Sequence, residues 1–269
     1  MEMKRITLIL ALLLTAMAAS AQQYLTLTDI PYSKDTDAYA QERCKLDVYY
    51  PTDLKDCPVV VWFHGGGLTG GNKFIPEELK NSGLVVVAVN YRLMPKAAID
   101  NCIDDAAAAV AWTFGNIGLY NGSPEKIFVA GHSAGGYLTD MIGLDKHWLA
   151  KYGVDADKIK GLVPYSGQVI THFALRERRG MQPTQPLIDE YAPLYHIRPD
   201  APPIVIISAD REEELYGRYE ETAYFWRMLK IVGHKDVTLY ELDGYNHGDM
   251  ATPAHAILKK NIKRLCSSR

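Results

Sequence analysis

Three stretches of the 269-residue sequence hold the residue types that nucleophilic attack on a carbonyl carbon requires. Gly131-His132-Ser133-Ala134-Gly135-Gly136 follows the apolar run Lys126 to Ala130 and precedes a helix-forming segment. Glycines two places either side of a serine suit a chain that turns from strand to helix too sharply for side chains there, leaving the hydroxyl exposed. A capping serine in an ordinary glycine turn is the plain alternative, and the strand before with the helix after argues against it. His64-Gly65-Gly66-Gly67 follows the apolar run Pro58 to Phe63, and glycines there let backbone N–H groups converge on one point. With the amide of Ala134, the amides of Gly66 and Gly67 are the candidates to bind a developing oxyanion; one such donor is worth roughly 3 to 4 kcal/mol of transition-state stabilisation. His64 itself reads as a residue that orders the loop.

His247, in Gly244-Tyr-Asn-His-Gly248 after the run Val237 to Leu242, is the candidate general base for Ser133. His172, His196, His234 and His255 fall in or beside helices or in an irregular stretch, where a surface histidine is the ordinary explanation. A carboxylate must hold the imidazole in the right tautomer and stabilise the imidazolium. Ser208-Ala-Asp-Arg-Glu-Glu-Glu214, after the run Ile204 to Ile207, supplies acids at the appropriate place.

These residues need a frame that brings distant loops to one place. Tyr24 to Ile30 and Lys45 to Tyr50 alternate apolar and polar residues, the period of half-exposed strands, and read as an antiparallel opening pair. Pro58 to Phe63, Leu84 to Val89, Lys126 to Ala130, Gly161 to Tyr165 and Ile204 to Ile207 are continuously apolar, as strands buried on both faces are. Helical segments lie between them, at about 75–82, 99–114, 134–143, 218–232 and 253–265. Alternating strand and helix predicts a doubly wound α/β domain whose site lies at the carboxyl ends of the strands. The aperiodic stretch 167–203, with Arg176 to Arg179 and several prolines, reads as an insertion or short polar lid.

At the amino end Met1-Glu2-Met3-Lys4-Arg5, an apolar run to Ala19 and the close Ala19-Ser20-Ala21 predict a cleavable signal peptide over 1–21, with 22–269 as a single catalytic domain. A secreted or periplasmic, soluble mature protein follows, because no later run is long enough to span a bilayer. Export would place Cys44, Cys57, Cys102 and Cys266 where disulfides persist; three full pairings are possible, and buried free thiols are the alternative. A net charge of −3 provides no electropositive footprint for nucleic acid.

On His64 to Gly67, Gly131 to Gly136 and Asn90-Tyr91-Arg92-Leu93-Met94-Pro95, nearly the whole mature chain resembles the α/β-hydrolase superfamily. It resembles in particular the hormone-sensitive-lipase-like carboxylesterases and the related feruloyl and acetyl-xylan esterases. The resemblance implies a mostly parallel eight-stranded sheet flanked by helices, chain order nucleophile, acid, histidine, and a segment 90–95 that braces the oxyanion loop. Spacing in relatives selects Glu212 as the acid, with Asp210 as its rival and Glu213 and Glu214 as solvated charges at a helix entry. There is no room before Tyr24 for a large helical cap, so the site should be open. His132 stands where the first subgroup has Asp, which favours the carbohydrate-esterase and formamidase side; Glu replaces the usual acidic Asp. The resemblance thus implies a secreted serine esterase, needing no cofactor, acting through an acyl-enzyme on a small-molecule or oligosaccharide ester, with short-chain or aromatic acyl esters of carbohydrates foremost. A prolyl-oligopeptidase-like peptidase and an arylformamidase-like amidase share the fold; a hydrolase fold that has lost catalysis and only binds is the non-enzymatic alternative.

Overall fold

The computed structural model describes residues 22–182, 184–215 and 217–267; the expected signal peptide lies outside the described residues. Their strands are β1 Tyr24–Pro31, β2 Lys45–Pro51, β3 Cys57–Phe63, β4 Val85–Val89, β5 Gly122–His132, β6 Gly161–Tyr165, β7 Ile204–Ala209 and β8 Val237–Leu242. They form one eight-stranded sheet in the order β1-β2-β4-β3-β5-β6-β7-β8. The pairs β1–β2 and β2–β4 are antiparallel, and every pair from β4 to β8 is parallel.

Strand periodicity decides which helix each residue meets. Val59, Val61 and Phe63 of β3, with Val85, Val87 and Val129, share one core with helix α2 (Ile99–Asn116) and helix α3 (Ala134–Leu144), following the short α1 (Ala38–Arg43). Val60, Trp62, Val86, Phe128 and Ala130 turn to the other face. The later helices are α4 (Lys146–Ala150), α5 (Phe173–Arg178), α6 (Arg218–Ile231) and α7 (Ala251–Ser267). Ala254, Leu258, Ile262 and Leu265 make the helical stripe that α7 lays on that second face. Burial on both faces is why these strands read as unbroken apolar runs; each fully buried aliphatic side chain contributes about 1.5–3 kcal/mol.

Two expectations change. The helix expected over 75–82 is only a 3-10 turn, Glu77–Leu79, closed on one side by Pro76 and on the other by Asn81 and Gly83, both at positive φ. The 167–203 stretch, although polar in composition, is packed against the domain: Val169, Thr171, His172, Leu175 and Leu194 are buried, and Tyr137 of α3 donates its hydroxyl to Tyr191 O at 2.9 Å.

All four cysteines are free thiols, with Cys44, Cys57 and Cys102 buried, so none of the three disulfide pairings forms. Burial pushes the Cys44 and Cys102 thiols up to about 12, which keeps them protonated and poorly reactive. In denaturant without reductant, thiol titration should find all four groups. In the folded protein Cys44 and Cys102 should react only as fast as the structure opens. Fewer than four thiols in the unfolded, unreduced chain would show that a bridge forms.

Candidate active site

Ser133 is the one residue between the end of β5 and the start of α3, and it is held at φ 57 and ψ −115, a strained backbone for any residue with a side chain. The neighbouring glycines explain why the chain can be held there. A Cβ on Gly135 would sit 2.0 Å from Phe63 O, and one on Gly131 would lie 2.5 Å from Gly135 C. The first turn of α3 therefore rests directly on the carboxyl end of β3. The Ser133 amide still donates to Tyr165 O of β6 at 2.8 Å, so only its side chain leaves the sheet.

That hydroxyl donates to His247 Nε2 at 2.9 Å, and His247 Nδ1–H donates to a carboxylate at 2.5 Å. The carboxylate belongs to Glu214. Glu212, the acid expected from spacing, is exposed and meets Asp210 only through its own amide; Asp210 turns its side chain to the Gly244 amide at 2.7 Å. The reason is local. β7 runs on to Ala209, and Asp210 O accepts the amides of Glu213 and Glu214, closing one helical turn. One turn on from Asp210 is Glu214, which folds back under His247 with its side chain 1% exposed. The turn-forming Asp210, counted forward by four, was the available signal.

Burial alone would raise the Glu214 carboxyl, but the hydrogen bond and charge of His247, the Ser166 hydroxyl at 2.5 Å and the Leu215 amide at 2.8 Å outweigh it and hold the group at about 2. Ser166 is fastened in turn by Arg218, whose Nη1 donates to Ser166 O at 2.6 Å.

The glycine row turns beside the serine. Gly66, at φ 112, has no space for a side chain, since a Cβ would be 2.3 Å from Gly70 O. Its carbonyl accepts the amides of Thr69 and Gly70. Gly65 lies against the nucleophile: a Cβ there would be 3.3 Å from Ser133 Cβ. Among the described residues the amides of Gly66, Gly67 and Ala134 have no protein acceptor. Segment 90–95 braces this loop. Tyr91 donates to His64 O at 2.8 Å and stacks on the His64 ring at 4.5 Å, and the Met94 amide donates to Leu68 O. Asp105 pins Arg92 through Nε at 2.8 Å and Nη2 at 2.6 Å.

His132 Nε2–H donates to His247 O at 2.7 Å, with the two rings 4.8 Å apart. Burial, then the charge of His247, lowers His132 to about 4, so it is neutral beside the base. His64 and His255 are likewise lowered to about 4 by burial, and His172 is held well down. His172, His234 and His255 are thus core residues, contrary to the surface reading; His172 accepts the Ala174 amide on Nδ1, which needs a neutral ring. Among the described residues no cluster of His, Cys, Asp or Glu is arranged to hold a metal, and no helix is long and apolar enough to cross a membrane.

Residues 46–165, from β2 through the nucleophile to β6, match the protein family BD-FAE. The chain has the α/β-hydrolase fold. The same fold appears in a truncated carbohydrate esterase from gut microbiota, which superposes with a TM-score of 0.75 over 93% of this chain and 99% of that one at 17% identity. In sequence, this chain is 29% identical to the probable carboxylic ester hydrolase LipM of Mycobacterium tuberculosis, over 75% of this chain and 52% of that one. It is 35% identical to the kynurenine formamidase of Danio rerio, over 53% of this chain and 46% of that one. The chain spans about half the length of these curated relatives.

The buried histidines of this hydrolase fold set a pH dependence. His64, His132 and His255 have folded values near 4 against an ordinary 6.5, so below 6.5 the unfolded chain binds more protons. Their contribution is complete above pH 6.5 and is lost as the pH falls towards 4. Urea midpoints taken from pH 7 downward should fall across that window. A flat profile would mean that these rings are not buried neutral.

Proposed function

We propose that the protein is an exported serine carboxylic-ester hydrolase that works through an acyl-enzyme, on short-chain or aromatic acyl esters of carbohydrates. The observation that carries the reading is the unbroken hydrogen-bond relay from Ser133 through His247 to Glu214, at 2.9 and 2.5 Å. In the reaction Ser133 Oγ attacks the ester carbonyl carbon while His247 Nε2 takes its proton. The carbonyl oxygen becomes an oxyanion received by the open amides of Gly66, Gly67 and Ala134. As the C–O bond breaks, His247 returns the proton to the leaving alcohol, and the acyl group stays on Ser133. Water then enters, gives a proton to His247 and attacks the acyl carbon; as the bond from that carbon to Ser133 Oγ breaks, His247 returns the proton to Oγ, freeing the acid and restoring the serine. Glu214 keeps the Nδ1–H tautomer and balances the imidazolium formed in each half.

The kinds of relative support the ester: one is described as a carboxylic ester hydrolase, and a fold neighbour as a carbohydrate esterase. Export is supported by the basic start, apolar run and Ala-Ser-Ala ending of the first 21 residues. The likeness to kynurenine formamidase favours one second reading, in which the same relay cleaves a formamide and His247 protonates the leaving amine.

The test is hydrolysis of p-nitrophenyl acetate, p-nitrophenyl octanoate, acetylated xylan, methyl ferulate and N-formylkynurenine. Ser133→Ala should abolish turnover, and Glu214→Gln should lower kcat by about 10⁴-fold, since the amide stabilises the wrong tautomer. Glu212→Gln should keep wild-type rates, because that side chain points to solvent. Turnover that survives Ser133→Ala, or equal losses at 212 and 214, would refute the assignment. Formamide cleavage well above every ester would select the second reading. Expression with the leader intact should yield a mature chain beginning at Gln22.

A further inference from the structure

Beside the serine a cavity of about 460 Å³ opens between the loop Phe74 to Glu78 and the first turns of α7 at Thr252 and His255. It shares a wall with the candidate active site, because Gly65 and His132 line it and both adjoin Ser133. Trp62 and Phe74 meet edge to face at 6.2 Å, and Trp62 lies 5.0 Å from the His255 ring. Tyr165 fixes His255 by donating its hydroxyl to Nδ1 at 3.2 Å, and the far side of that ring faces Glu78 at 3.9 Å. Phe74 is 51% exposed, so folding leaves an aromatic face uncovered at the cavity.

The polar groups of the lining select among ligands. Glu77 and Glu78 carry carboxylates and Thr252 a hydroxyl, whereas no Lys or Arg is among the lining residues. Glu77 already pairs with Lys80, which leaves Glu78 and Thr252 as the ready acceptors. An anionic group would meet like charge with no counter-ion in the walls. An alkyl chain would remove water from carboxylate oxygens and give them no donor. An uncharged ring bearing several hydroxyls satisfies both conditions: its O–H groups donate to Glu78 and Thr252, and its C–H face lies on Phe74. We propose that this cavity beside Ser133, walled by Phe74, Glu78, Thr252 and His132, is the subsite for the uncharged sugar ring that carries the ester. The proposal rests on the ester-hydrolase reading and adds which part of the substrate this wall recognises.

Two measurements keep the proposal and that reading separable. In the first, kcat/KM for acetylated xylotriose and for p-nitrophenyl acetate is compared in the wild type, Phe74→Ala and Glu78→Gln. Loss of one charged hydrogen-bond partner or one stacking face should lower kcat/KM for the sugar ester by about tenfold, with a several-fold smaller loss on the aryl acetate. In the second, xylotriose is titrated calorimetrically into the Ser133→Ala protein, where the same two substitutions should weaken binding by a similar factor. Equal losses on both esters, or sugar binding indifferent to both substitutions, would overturn the subsite while leaving the hydrolase standing. Sugar binding that depends on Phe74 and Glu78 in a protein that hydrolyses no ester would uphold the subsite and refute the hydrolase.

Discussion

The contact on which the rest of the site depends is the one between Gly135 and the carbonyl of Phe63, so close that a methyl group at Gly135 would lie 2.0 Å from that oxygen. Pressing the first turn of α3 onto the end of β3 forces the chain to reverse at a single residue, and Ser133 takes the strain as φ 57. The contact also sets the distance to the glycine row. β3 and β5 are neighbours in parallel register, with Phe63 opposite Gly131, so the loops that leave them emerge side by side. β7 and β8 end at the same edge because they run parallel to β5 and β6, and that brings Glu214 and His247 to the serine.

Charge is rationed within this edge. Glu214 is kept ionised by donors on three sides, while His64, His132, His172 and His255 are kept neutral by burial. The difference suits the role of base proposed for His247. A cationic His132, 4.8 Å from the His247 ring, would oppose imidazolium formation; a neutral one donates a hydrogen bond and adds no charge. The Arg92–Asp105 pair lies behind the glycine row, where the two charges compensate each other and hold the bracing segment rather than entering the chemistry.

How much of this is legible in the sequence depends on whether a residue's role is written in its own neighbourhood. The glycines flanking Ser133 are legible because close approach leaves no alternative residue. Strands β3 to β7 are legible because burial on both faces demands unbroken apolar runs. The position of Glu214 is not, because Glu212, Glu213 and Glu214 are chemically alike and a strand that runs two residues beyond its expected end sets the turn that decides which one faces inward. The histidines at 172 and 255 mislead for a similar reason: residue type suggests solvent, whereas Tyr165 and the Ala174 amide offer buried partners that lie on other elements or need the folded turn.

The loop that carries His247 has little regular structure, and what holds it comes from residues next to Ser133 and at the start of the turn that carries Glu214. His132, adjacent to the serine, donates to the carbonyl of His247; Asp210, at the foot of the acid's turn, accepts the Gly244 amide and donates its own amide to Tyr245 O. The strand that leads to Ser133 and the turn that carries Glu214 thus clamp His247 from both sides, and His247 in turn keeps Glu214 ionised. Groups that position one another in this way act as a unit, so the free energies lost on removing them singly should sum to more than the loss on removing them together. The same clamp explains why His132 can occupy a position next to the nucleophile without taking part in proton transfer: its one donor hydrogen is already committed to the backbone of the base.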